Sequence, residues 1–245
     1  MNRTLSLSIC LAALVAACAT AAPAPCPQQP AVAVPAPLTY QPLDRYERRL
    51  ILSGAPTEVM ALVENDTPAD DAFLREKALT VDPAEPLIDH LAARMLETVK
   101  KAPGVGIAAP QIGISRRLIW VQRMDKDEKP FEFYINPRID EFSPEKEIGW
   151  EGCLSVPAGF GRCYRSTGIT VSYDTKDKGR VSEKVAGYTA IIFQHEIDHL
   201  DGVLFIDLKE AGDLTPKEQY YEMRRKEKEA KEKEQTSPAA TPESK

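Results

Sequence analysis

The chain sets 31 Lys and Arg against 37 Asp and Glu in 245 residues, with 43% hydrophobic residues and 20 prolines. That length accommodates one or two domains, and the apolar content excludes a wholly disordered polymer. A net charge of −6 offers no general basic surface for nucleic acid, and five cysteines, at 10, 18, 26, 153 and 163, are too few and too unevenly spaced for a disulfide framework.

Met1 to Ala17 joins Arg3 to an apolar run too short to span a bilayer, the pattern of a secretory signal segment. Val15-Ala16-Ala17-Cys18 resembles the bacterial lipobox, which implies diacylation of Cys18 and a membrane-anchored lipoprotein on the periplasmic side of the cell envelope. Cleavage at a nearby Ala-x-Ala is the other reading. Residues 18–42 hold seven prolines between Pro23 and Pro42 and no amphipathic period, so they read as an extended tether. Residues 43–72 read as a poorly defined extension, with a short helix near Tyr46 to Leu52 and no assigned function.

The core is expected over residues 73–208. Leu87, Ile88, Leu91, Ala92, Met95, Leu96 and Val99 lay one apolar stripe along a helix from Pro86 to about Lys101. Leu118 to Val121, Phe131 to Ile135, Ile169 to Tyr173 and Val181 to Val185 read as strands, the last two joined by a polar turn from Lys176 to Gly179. A helix follows from about Tyr188 to Leu200, with Gly202 in the position of a left-handed cap. The fold class is therefore α+β, mostly antiparallel sheets around helices. Beyond it, Thr215-Pro216-Lys217-Glu218 has the form of a capping box and starts a helix to about Gln235, which carries seven basic and six acidic residues between Lys217 and Glu234. The charged helix and a polar tail fill residues 209–245.

Chemistry concentrates in three clusters. In Gln194-His195-Glu196-Ile197-Asp198-His199, the two histidines are four apart on one helix face, where both imidazoles reach one metal while Glu196 reaches a water on it. A tetrahedral site needs a third protein ligand, and Asp201, Asp207 and the upstream Cys153 are the candidates. Cys153, in Glu151-Gly152-Cys153-Leu154-Ser155, could supply a thiolate ligand, although a lone cysteine in an apolar stretch is more often a buried inert thiol, and a nucleophile paired with a histidine is a third reading. Gly104-Val105-Gly106-Ile107-Ala108-Ala109-Pro110-Gln111 matches a dinucleotide fingerprint in letters, but a helix precedes it and a strand follows, the reverse of what that site needs. It reads instead as a close-packed loop whose backbone meets a ligand and whose Gln111 amide points into the site. His90 lies off the apolar stripe and reads as a surface residue, and Cys26 with Cys163 is a pair available to an oxidising compartment.

In this order and at these separations, G-x-G-I-A-A-P-Q, E-G-C-L-S and Q-H-E-x-D-H-L resemble the peptide deformylase family, from about Phe73 to Leu208. The resemblance implies a metal-dependent hydrolase that removes the formyl group from formyl-methionyl peptides, a step of N-terminal methionine processing in protein biosynthesis. It implies Cys153, His195 and His199 as ligands of Fe(II), with zinc, nickel or cobalt able to replace it. Glu196 becomes the general base and then acid, Gln111 and the Leu154 backbone N–H the oxyanion donors, and Gly106 and Ile107 substrate contacts. It further implies a Glu151–Arg165 pair and a monomer.

Two features depart from that family. An export signal stands where a chain working at the ribosome has none, and the terminal helix is charge-balanced where one docking on ribosomal RNA is expected to be basic. Both point away from ribosome contact. A start at Met60 would leave the whole core intact without a signal, in a cytoplasmic chain. The competing readings are an envelope metallopeptidase of other specificity and a non-catalytic binding lipoprotein.

Overall fold

The computed structural model describes residues 39–236, with side chains to residue 232. The signal segment, Cys18, Cys26, nearly all of the tether and the last part of the tail lie outside them. The elements run α1 (Arg45–Ile51), α2 (Pro68–Leu74), α3 (Ile88–Lys101), β1 (Gly106–Ala108), a 3₁₀ turn (Ala109–Ile112), β2 (Leu118–Gln122), β3 (Phe131–Phe142), β4 (Lys146–Cys153), β5 (Val156–Ser166), β6 (Gly168–Thr175), β7 (Gly179–Ala186), α4 (Gly187–Leu200), α5 (Phe205–Leu208) and α6 (Lys217–Thr236).

Five strands form an antiparallel sheet in the order β1-β2-β3-β6-β7, and β4 pairs with β5 as a separate ribbon. Strand β2 shows how the sheet divides the core, because successive side chains leave a strand on opposite faces. Leu118 joins Leu91, Met95 and Val99 of α3 on one face, whereas Ile119 and Val121 join Phe193, Ile197 and Leu200 of α4 on the other. The α3 stripe is buried as its spacing requires. Helix α4 ends in a Schellman arrangement, in which the N–H groups of Gly202 and Val203 bond to the carbonyls of His199 and Asp198. Gly202 has φ 74°, the left-handed conformation that glycine adopts without strain.

Residues 43–72 are built into this core. Asp44 caps α1 through a reciprocal capping box with Glu47, and Leu43, Ile51 and Met60 pack in the α3 cluster. Glu47 forms a buried two-pronged ion pair with Arg116, at 2.7 and 2.6 Å. Buried Arg94 of α3 donates to the carbonyls of Leu50, Ile51 and Glu58, closing the end of α1. A chain starting at Met60 would therefore not keep the core intact. Its charged amino group would sit at a buried nitrogen now bonded 2.8 Å from Thr98 Oγ1, and Arg116 would lose its carboxylate. His90 is also no simple surface residue: it is half-buried and its Nε2 lies 2.9 Å from Gly54 O. Cys163 is a free, fully buried thiol whose environment is the Phe205 carbonyl.

Candidate active site

The ribbon and α4 bring the reactive residues together. Cys153 is the last residue of β4, at a register shift between Glu151 and Cys153. Such an irregularity re-aims a side chain that regular pleating would direct elsewhere. Gln194 ties α4 to the ribbon, since its side-chain amide accepts from Ser166 N at 3.1 Å and donates to Ser166 O at 2.8 Å. On the next turn of α4, His195 and His199 face Cys153. Ligand atoms of the three lie within 4.8 Å of one another, and Cys153 Sγ is 3.1 Å from His199 Nε2.

The remaining atoms of these residues are held in a defined way. His195 Nδ1 lies 2.8 Å from Glu151 Oε2, so the proton on that nitrogen is donated to the carboxylate and Nε2 is left for a ligand. Glu151 is itself gripped by Arg165, whose Nε and Nη2 donate to it at 2.6 and 2.9 Å. The third branch of Arg165, Nη1, bonds Asp198. This pair is buried rather than a surface ion pair, at 7% side-chain exposure on each partner. Asp201 and Asp207, the other candidate ligands, point elsewhere, to Arg117 and Arg75 respectively.

Electrostatics favour a thiolate here. Burial alone would raise the Cys153 thiol, but the charges and hydrogen bonds of His199 and His195 outweigh it and bring its pKa down to about 5. A thiolate is the form that coordinates metal. Burial likewise opposes ionisation of Glu151, yet hydrogen bonds from Arg165 and His195 hold it at about 2. Glu196 goes the other way, lifted by burial to about 7 against the pull of the two histidines. Among the described residues, its Oε2 is buried without a hydrogen-bond partner. One thiolate, two imidazoles and a nearby unpartnered carboxylate fit a tetrahedral divalent ion with one position open.

The Gly104–Gln111 loop closes the site from the other side. Gln111 Oε1 accepts from Ala108 N at 2.8 Å, which fixes the amide and turns its Nε2 toward Cys153 Sγ, 3.5 Å away. Gly106 approaches Glu196 so closely that a Cβ there would overlap the carboxylate. Ile107 differs from expectation: its side chain is fully buried in the α3 cluster, and the residue does not line the cleft. Leu154 follows Cys153 in the short turn between β4 and β5 and lines the same cleft as Gly106, Gln111, Cys153, His195 and Glu196. The cleft measures about 380 Å³.

Sequence reasoning did not assign a role to Asp198, although it lies inside the histidine motif three residues after His195. Nor could it see that Val63 N bonds Gln111 O at 2.8 Å and Asn65 N bonds Ser155 O at 2.9 Å. Those two bonds lay the N-terminal segment behind both walls of the site.

The chain is similar to proteins of one kind. A model of the polypeptide deformylase family matches residues 65–213. A peptide deformylase of Desulforudis audaxviator is 44% identical over 137 residues, covering 56% of this chain and 87% of that one. Among solved structures, the Thermotoga maritima peptide deformylase is 37% identical with a TM-score of 0.57, covering 63% of this chain and 99% of that one. The class I type b peptide deformylase of Acinetobacter baumannii with Met-Ala-Ser bound is 34% identical with a TM-score of 0.56, covering 62% and 99%. With its thiolate and histidines gathered around a buried glutamate on that fold, the chain belongs to the polypeptide deformylase family, metal-dependent hydrolases that remove the formyl group from peptide N-termini.

Proposed function

We propose that Cys153, His195 and His199 hold Fe(II), replaceable by zinc, nickel or cobalt, and that Glu196, Gln111 and Leu154 carry the hydrolysis of formyl-methionyl peptides. The observation that supports this most directly is the gathering of the three ligand atoms within 4.8 Å, in one cleft with Glu196 and Gln111. Bound there, the metal supplies Lewis acidity that brings the pKa of a water from about 15.7 towards 7.

The protein's own groups do the rest. Glu196 takes the proton of the attacking water and delivers it to the departing amine, a base that becomes an acid. Gln111 Nε2, already oriented by Ala108, and the Leu154 N–H donate to the formyl oxygen as it gains charge. Strand β1 is the edge of its sheet, so its outer backbone groups receive the peptide as an additional strand beside Gly106. Gly106 admits Glu196 only because it lacks a side chain, and the crowding it creates selects the small formyl group. The Met-Ala-Ser held by the Acinetobacter baumannii relative supports a product peptide with an N-terminal methionine here.

The test is formate release from formyl-Met-Ala-Ser by the chain from Thr39 onward, prepared anaerobically with Fe(II), beside Glu196→Ala. Activity is expected to fall about 10²–10⁴-fold in the variant, with one metal per chain retained. A metal-loaded protein that releases no formate, or a variant as active as its parent, overturns the reading.

We also propose that Cys18 anchors the enzyme in the cell envelope, where it acts on released formyl peptides. The lipobox-like run and the charge-balanced α6 support this. Among the described residues no helix is long and apolar enough to cross a membrane. Mass spectrometry of the native amino terminus should find diacylated Cys18 in the membrane fraction, and a wholly cytoplasmic protein refutes it.

A further inference from the structure

The family match stops at residue 213, yet the wall of the active-site cleft does not. Lys217, Tyr220 and Tyr221 of α6 line the same cleft as Cys153 and Glu196. The start of this helix is fastened in place by two backbone hydrogen bonds between Phe160 and Thr215, each 2.8 Å. Tyr220 then stacks on Phe160 with centroids 3.8 Å apart and planes 14° from parallel, and meets the edge of Trp150 at 5.5 Å. Tyr221 stands edge-on to both rings, 5.7 Å from Phe160 and 5.6 Å from Tyr220.

These rings are not consumed by holding the helix. Trp150, Phe160 and Tyr220 are only half-buried, and Tyr221 and Tyr188 at the same rim remain 61% and 54% exposed. An open aromatic patch continuous with a reactive centre is a binding surface.

We propose that Trp150, Phe160, Tyr220 and Tyr221 form a subsite for the peptide downstream of the formylated residue, selecting an aromatic or bulky apolar side chain there. The inference rests on the deformylase reading for the direction in which the peptide lies. Aromatic pairs contribute roughly 0.5–1.5 kcal/mol beyond their buried area, which corresponds to a preference of about 2- to 12-fold.

Two measurements on the chain from Thr39 onward test it. Fe(II)-loaded enzyme is assayed for kcat/KM on formyl-Met-Ala-Phe, formyl-Met-Phe-Ser and formyl-Met-Ala-Ser. The wild type is expected to favour one Phe peptide about fivefold, Tyr220→Ala with Tyr221→Ala to bring the ratio to one, and the Tyr220→Phe, Tyr221→Phe pair to restore it. Separately, binding of Met-Ala-Phe and Met-Phe-Ser to metal-free protein is followed by the emission of Trp150 in a Trp120→Phe background, where it is the only tryptophan left. Loss of the emission change in the alanine pair supports the subsite even where no formate is released, a result that would sink the catalytic reading alone. A wild-type ratio near one, or an alanine pair that slows all three substrates equally, overturns the subsite.

Discussion

Replacing Glu47 with alanine should destabilise the enzyme strongly although the residue belongs to a segment that precedes the family match. Glu47 and Arg116 are 7% and 4% exposed at their side chains, and the pair closes at 2.6 and 2.7 Å. Removing one member of a buried pair strands the other charge, at a cost of about 3–5 kcal/mol. Arg116 would keep its bonds to the carbonyls of Gln41 and Pro42, which satisfy N–H groups without neutralising charge. For a domain of this size each kcal/mol moves the melting temperature by about 2–4 °C, so the fall should be about 6–20 °C. Calorimetry measures it, and formate release at 25 °C should be unchanged, since Glu47 touches nothing in the cleft. Glu47→Leu combined with Arg116→Met should recover most of the loss, because apolar residues of similar volume replace such a pair at little or no cost. A fall below about 2 °C for the alanine variant, or a double variant weaker than the single, would refute the reasoning.

Gln111→Ala should lower kcat by about 10²–10³-fold with KM little changed, the signature of a donor that acts on developing charge; an equal loss in KM would assign it to substrate binding instead. Glu151→Ala frees both His195 Nδ1 and Arg165, and should weaken metal affinity about 10- to 100-fold by competition with a chelator. Gly106→Ala should fold normally yet lose about 10²-fold in kcat/KM through displacement of the Glu196 carboxylate, and normal kinetics would contradict the close approach. Arg123 holds the Asp125 carboxyl well below the usual carboxylate range, mainly by hydrogen bonding and against the effect of burial. A depressed folded value means stability fully present above about pH 4, the unfolded value, and lost progressively below it as pH falls through the folded value, so Asp125→Asn should flatten the acid side of a denaturation series.

Legibility followed the range of the interactions. The α3 stripe and α4 were visible because each carries its apolar pattern within itself. The β4–β5 ribbon was not, because inward positions of β5 are taken by Gly159, Gly161 and Arg165 as well as by Val156 and Cys163, which erases the apolar alternation of a strand. Helix α1 was legible as a short helix near Tyr46 to Leu52, but its place in the core was not: of its buried residues Glu47 and Ile51, the first is a carboxylate whose partner lies 69 residues away. The site motifs were legible as letters, and the family resemblance already named Cys153 beside the two histidines; residue spacing alone left Asp201 and Asp207 as equal candidates, and the fold turns those two toward Arg117 and Arg75 while bringing Cys153 to the histidines.

The chemistry of the site turns on how one arginine is divided between two of three neighbouring carboxylates. Glu151, Glu196 and Asp198 are crowded around the two histidines, and all would raise one another's pKa if left unpaired. Arg165 reaches two of them, forking onto Glu151 and extending its remaining nitrogen to Asp198. Glu196 is left without a partner for Oε2 among the described residues, and Gly106 presses against its other oxygen. The result is a division of labour between carboxylates on neighbouring elements. Glu151, at about 2, is a fixed charge that orients His195. Glu196, at about 7, can exchange a proton near neutrality. Because Arg165 sits on β5 and Asp198 on α4, the same guanidinium that keeps Glu151 ionised also locks the ribbon to the helix, while burial still raises the Asp198 carboxyl. One buried charge therefore orients His195 through Glu151 and ties α4 to β5 through Asp198, so replacing Arg165 would disturb the imidazole and the helix together.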